Sequence, residues 1–146
     1  MPTDISVSYP SANLDRSTAF YTALGATINP LFTDENAACL AWDENIYLMV
    51  LKREFMATFT DKQLADPATT AQVQSMFHRD SREDVDAAAE AGLAAGGSEP
   101  RPAQDFGFMY SRDLEDPDGN IVAFGYMESL AAEQGPEAYL AQQAKV

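Results

Sequence analysis

A chain of 146 residues allows one compact domain, or two small halves sharing one core, at the usual ~150 residues per domain. With 46% hydrophobic and 22% charged residues, its composition is that of a globular protein and excludes the disordered and fibrous classes. Nine Lys and Arg against 23 Asp and Glu leave a formal charge of -14, a field that repels phosphate backbones and anionic headgroups, so neither nucleic acid nor a membrane surface is an expected partner.

Cys39 is the single cysteine, which rules out an internal disulfide and any zinc site built on two thiolates within the chain, and fits a reducing compartment. His78 is the single histidine, so chemistry needing two imidazoles from one chain is excluded as well. Met1-Pro2-Thr3-Asp4 carries no basic region, and no apolar run approaches the ~18 residues of a membrane span. A soluble, cytoplasmic protein is the expectation.

Ile5, Val7 and Tyr9 alternate with Ser6 and Ser8, which predicts a strand with one apolar and one hydroxyl-lined face. Pro10-Ser11-Ala12 ends it. Leu14, Phe20, Tyr21 and Leu24 then recur at helical spacing, with Asn13 placed to cap the free amides, Asp15 at the positive end and Gly25 as the stop. Strands are expected over 26–32, 37–42 and 46–51, the last two joined by the hairpin-sized loop Asp43-Glu44-Asn45.

Residues 53–70 carry Phe55, Met56 and Phe59 without clean periodicity, and two readings stay open: a lid folded over a pocket, or a connector whose aromatics pack on a sheet edge. An alternating stretch over 71–79 predicts the next strand. Ser81 and Asp84 form a capping pattern for a helix with the thin apolar stripe Val85, Ala88, Ala89 and Leu93, ended by Gly96-Gly97. Strands follow over 97–100, 106–113 and 121–126. Between the last two, Asp116-Pro117-Asp118-Gly119-Asn120 is a turn signal; it lacks the terminal Glu of a calcium loop. The tail, 129–146, has helical composition broken by Gly135-Pro136. Both halves thus read strand, helix, three strands, with the caps Asn13 and Ser81 roughly 68 residues apart, a period that means duplication within one domain rather than a solenoid.

The helix 13–25, the hairpin Asp116-Pro117-Asp118-Gly119-Asn120-Ile121 and the duplicated order resemble the vicinal oxygen chelate superfamily of glyoxalase I, bleomycin-resistance proteins and extradiol dioxygenases, over residues 5–127. The resemblance implies an α+β fold: two βαβββ modules, about 4–52 and 71–127 of a single domain spanning 1–128, whose curved mixed sheets surround a concave cavity. Helices pack on the convex side. Strand alternation is consistent with this, setting Ile5, Val7, Tyr9, Ile46, Leu48, Val50, Val73, Ser75, Phe77, Val122, Phe124 and Tyr126 on the helix side. The cavity side then holds Ser6, Ser8, Tyr47, Met49, Leu51, Gln74, Met76, His78, Ile121 and Ala123, together with Gly125.

Enzymes of that superfamily hold a divalent metal with His, Glu or Gln on the first and fourth strands of both modules. The corresponding positions here look like Ser6, Met49, Gln74 and Ala123. A hydroxyl, a thioether, an amide and a methyl group cannot replace anionic or imidazole ligands, and neighbouring residues are no better, so no metal and no cofactor are expected. His78 reads as a half-exposed strand-end residue or a pocket base. Asp113 and Glu115 suggest paired carboxylates no more than chance does in so acidic a chain. Ser6 and Ser8 have no activating base nearby in sequence, and Cys39 reads as a small buried apolar residue.

The expected function is metal-free binding of a small, largely apolar molecule by Tyr47, Met49, Leu51, Met76 and Ile121, oriented by Ser6, Ser8 and Gln74. A metal-dependent enzyme resembling lactoylglutathione lyase, and an interaction protein with a filled cavity, are the alternatives. A homodimer is what the resemblance implies for assembly.

Overall fold

The computed structural model describes residues 2–145, and its element order repeats once. The first module comprises β1 (Ile5–Ser11), α1 (Leu14–Ala23), β2 (Thr27–Ile28), β3 (Ala37–Asp43) and β4 (Ile46–Lys52); the second comprises β5 (Gln74–His78), α3 (Arg82–Ala94), β6 (Gln104–Asp105), β7 (Met109–Glu115) and β8 (Ile121–Met127). A short α2 (Arg53–Met56) opens the linker, and α4 (Ser129–Gln134) and α5 (Pro136–Gln143) form the tail. Each module is an open four-stranded mixed sheet, in the orders β1-β4-β3-β2 and β5-β8-β7-β6. In both, the first strand runs parallel to the fourth and the other pairs are antiparallel.

Local chemistry accounts for most boundaries. The Asn13 side chain accepts from the Arg16 amide at 3.0 Å and the Ser81 hydroxyl from the Asp84 amide at 3.1 Å, so both helices start at the capping residues. Three expected strands are shorter or displaced. Over 26–32 only Thr27–Ile28 is strand, because Pro30 lacks an amide hydrogen and starts a 3-10 turn, Pro30–Phe32, capped by Asn29. Over 97–100 only Ser98 bridges, to Glu115; Pro100 and Pro102 cannot extend the ladder, which resumes at Gln104. The strand expected over 106–113 runs from Met109 to Glu115, since Asp105 accepts from the Gly107 amide and turns the chain with Gly107 at φ 80°. The strand expected over 71–79 is confined to 74–78, the residues opposite Ile121 to Gly125.

The two sheets share one core. Tyr9, Leu40, Leu48 and Val50 of the first sheet and Leu114, Val122 and Phe124 of the second are buried in a single cluster with Phe20, Tyr21 and Leu24 at α1 and Val85 and Ala89 of α3. At Gly92 of α3, space for a β-carbon is taken by Phe20, Leu24 and Leu114, so the first module's helix lies against the helix and the helix-covered sheet face of the second. The rings of Trp42 (β3) and Phe77 (β5) stack at 4.2 Å, and the Tyr9 hydroxyl lies 2.6 Å from the Ser75 hydroxyl. The helix-bearing sides therefore look toward each other. Since side chains alternate along a strand, the opposite faces of the two sheets point outward, on two sides of the molecule.

A polar clasp joins the modules at one end. Asp116 accepts from the Tyr21 hydroxyl at 2.7 Å, from the Asn120 side-chain amide at 2.9 Å, and from the Asp118 and Asn120 backbone amides at 2.9 Å each. Asp118 accepts from Arg16, Ser17 and the Ala12 amide, and Asn120 donates to the Pro10 carbonyl at 3.2 Å. Burial raises the Asp116 carboxyl pKa from its ordinary value in spite of the donors, which oppose the rise.

Candidate functional site

The outward faces are set by strand register. On the first sheet Ser6 lies opposite Tyr47 and Ala41, Ser8 opposite Met49 and Cys39, and Pro10 opposite Leu51 and Ala37. On the second, Gln74 lies opposite Ile121 and Glu115, Met76 opposite Ala123 and Asp113, and His78 opposite Gly125 and Ser111. All ten residues expected to line a cavity are on these faces, five on each. Side-chain alternation along β1, β4, β5 and β8 places them there.

What the chain does not do, among the described residues, is gather the ten around one enclosed space. Ser6, Gln74 and His78 are exposed, while Ser8, Tyr47, Met49, Met76 and Ile121 are partly covered. Leu51 is buried where α2 packs on β4, and Ala123 is buried between Met76 and Asp113. Members of the two groups come together along the seam where β1 approaches β5. There Ser8 and Ile121 border a mostly apolar groove of about 180 Å³ with Tyr9, Met56, Pro67 and Val73. Tyr47 and Met76 border a second hollow with Ile5, Val7 and Phe77.

The linker roofs the first of these. Arg53 donates to the Leu64 and Ala65 carbonyls at 2.9 and 3.0 Å, drawing the segment back over β1, and Phe55 meets Phe59 edge to face at 5.1 Å. Pro67 then crosses the turn at Gly119 so closely that a β-carbon there would lie 2.6 Å from the Pro67 carbonyl oxygen.

The four positions that the resemblance marks for a metal fall on both outward faces, Ser6 and Met49 on one and Gln74 and Ala123 on the other. Their donor set does not fit a divalent ion: it offers no carboxylate, imidazole or thiolate. Among the described residues no three His, Cys, Asp or Glu side chains converge at a distance suited to metal binding. Asp113, the carboxylate nearest Ala123 in register, is engaged instead: its Oδ2 accepts from Arg101 Nε at 2.7 Å, and Arg101 Nη2 lies at 2.7 Å from the same oxygen. This ion pair was not legible in the sequence, where Arg101 sits between two prolines with no periodic context. Cys39 is buried, and burial pushes its thiol pKa up, away from thiolate chemistry. His78 ends β5, exposed beside Arg79. Asp116, Asp118 and Asn120 form the turn and clasp described above. No helix among the described residues is long and apolar enough to cross a membrane.

Three solved structures illustrate the likeness of the whole chain. A glyoxalase/bleomycin resistance protein/dioxygenase family enzyme from Burkholderia phytofirmans superposes with a TM-score of 0.70 at 17% identity, covering 84% of this chain and 97% of that one. The fosfomycin resistance protein FosX from Listeria monocytogenes gives 0.63 at 14% identity, covering 88% and 96%. A lactoylglutathione lyase from Agrobacterium tumefaciens gives 0.62 at 19% identity, covering 86% and 95%. At such identities the likeness is one of fold. No curated protein matches in sequence. The family model for the Glyoxalase/Bleomycin resistance protein/Dioxygenase superfamily matches residues 6–124, and the chain belongs to that superfamily.

Proposed function

We propose that this protein binds a small, largely apolar organic molecule without a metal ion, in cavities completed when a second copy of the chain covers the outward sheet faces. The observation that carries the reading is the composition of those faces. Tyr47, Met49, Met76 and Ile121 supply partly covered apolar surface, Ser6, Ser8 and Gln74 supply neutral hydrogen-bonding points, and among the described residues no three His, Cys, Asp or Glu side chains beside them converge as a ligand set for a cation. Methionine suits such a site because its flexible thioether adapts to irregular shapes. The need for a second copy follows from the fold: faces that point apart in one chain can enclose a guest only against another surface. Ile5 and Ile46, paired at the start of β1 and β4, and Val73, just before β5, are exposed at the seam between the sheets and add apolar surface for a copy of the same chain to cover. A lyase or resistance activity of the kind named for the structural relatives is the competing reading, and a metal-dependent form of it would need a converging set of ligands, which the described residues of these faces do not form.

Sedimentation velocity should show a dimer, and a panel of small aromatic and aliphatic probes should raise the melting temperature, the folding stability growing with the logarithm of probe concentration to a gain of about 2.7 kcal/mol at a hundredfold excess over Kd. Met49→Asp, on the outward face of β4, should abolish the shift while leaving the unliganded fold intact. A monomer that no probe stabilises would contradict the proposal.

A further inference from the structure

The outward face of the second sheet carries a guanidinium whose orientation is fixed from below. Asp113 rises from β7 in the same row as Ala123 and Met76, and its side chain is 8% exposed while that of Arg101 is 55% exposed. Both Nε and Nη2 of Arg101 lie 2.7 Å from one carboxylate oxygen, so the pair uses a single edge of the guanidinium. Of the five N–H groups on an arginine, one of Nη1 and the outer one of Nη2 form a second fork that faces away from Asp113, and this fork has the spacing of a carboxylate.

The other arginines with acidic or carbonyl partners are held elsewhere. Arg16 pairs with Asp118, Arg82 with Glu128 and Asp105, Arg112 with Asp86, Glu90 and Glu99, Arg53 binds backbone carbonyls of the linker, and Arg79 donates to the His78 carbonyl and lies over the Trp42 and Phe124 rings. Gln74, at the corner of the same face, has its amide nitrogen 3.5 Å from the other Asp113 oxygen, too long to restrain it, and is exposed.

We infer that the guest is an apolar molecule bearing one planar oxyanion, a carboxylate in its simplest form, received by the outer fork of Arg101 with Gln74 as a neighbouring donor. This rests on the binding reading above and narrows it to a ligand class. In a chain of charge -14 a free anion is repelled at long range, so the selectivity has to come from a short-range contact of this kind. Because Asp113 already balances the charge, the fork contributes direction more than attraction, and the discrimination is moderate.

The test uses phenylacetate and 2-phenylacetamide, matched in shape and differing in charge, titrated against the full chain by calorimetry. The wild type should bind the carboxylate at least tenfold more tightly. Arg101→Gln combined with Asp113→Asn, which leaves no stranded carboxylate, should lose that preference while holding amide affinity within about threefold and keeping the melting temperature of the free protein near wild type. Equal binding of the two probes by the wild type, or equal weakening of both in the double variant, would overturn the inference and leave apolar binding standing. Failure of every apolar probe to bind would overturn the binding reading and this inference together.

Discussion

Asp116→Ala should lower folding stability by about 3–5 kcal/mol, because it strands several donors at once in a buried site. The Tyr21 hydroxyl and the Asn120 amide both lose their acceptor, and both residues are buried. Asp116→Asn separates geometry from charge. Its amide group would oppose the Asn120 amide donor and should cost about 1–3 kcal/mol. The pH dependence has a definite sign. Burial raises the Asp116 carboxyl, so the folded chain holds that proton more tightly than the unfolded chain does. The linked stabilisation is complete below the ordinary carboxylate range and is lost as pH rises through the raised value. Asp116→Asn lacks this loss, so the stability gap between wild type and variant should narrow as pH rises through the raised value in urea denaturation. Glu99, held below its ordinary value mainly by its hydrogen bond from Arg112, is unchanged in the variant, and its loss of stabilisation toward acid cancels from the difference.

Gly119→Ala should have the second largest effect, and it should be felt in the linker. Gly119 has φ 103°, which strains any residue with a β-carbon, at a cost of about 1–2 kcal/mol. The added atom also meets the Pro67 carbonyl oxygen and the Ala68 backbone, which are not the ends of flexible side chains. The linker must lift from the turn, opening the groove between Ser8 and Ile121. Limited proteolysis should therefore cut within residues 60–73 well before the rest of the chain, whereas the wild-type segment, fastened by Arg53 to the Leu64 and Ala65 carbonyls, should resist. Equal cleavage in both proteins would show that the linker is not held by this contact.

Features that depend on near neighbours were legible in the sequence. The caps Asn13 and Ser81 act over three residues, and the alternation of β1, β4 and β8 assigns each side chain to a face within one strand. The apolar run Ile28, Leu31 and Phe32 read as strand until the missing amide of Pro30 intervened, and residues 71–73 precede the pairing that begins opposite Ile121. Period two distinguishes two faces without saying what each face looks toward. That the Trp42 and Phe77 sides face inward together, sending Ser6 and Met49 away from Gln74 and Ala123, is decided by contacts between modules far apart in sequence. Arg101 and Asp113 meet because β6 and β7 fold back on each other, and nothing in residues 100–103 signals it.

That the outward faces receive an organic molecule and not a cation, as proposed above, is tested most directly by isothermal titration of chelator-treated protein with nickel, zinc, manganese and ferrous ions. The expected result is no saturable binding at or below micromolar concentration and no change in melting temperature, in wild type and Gln74→Ala alike. One equivalent of tightly bound metal per chain, lost in Gln74→Ala, would contradict it.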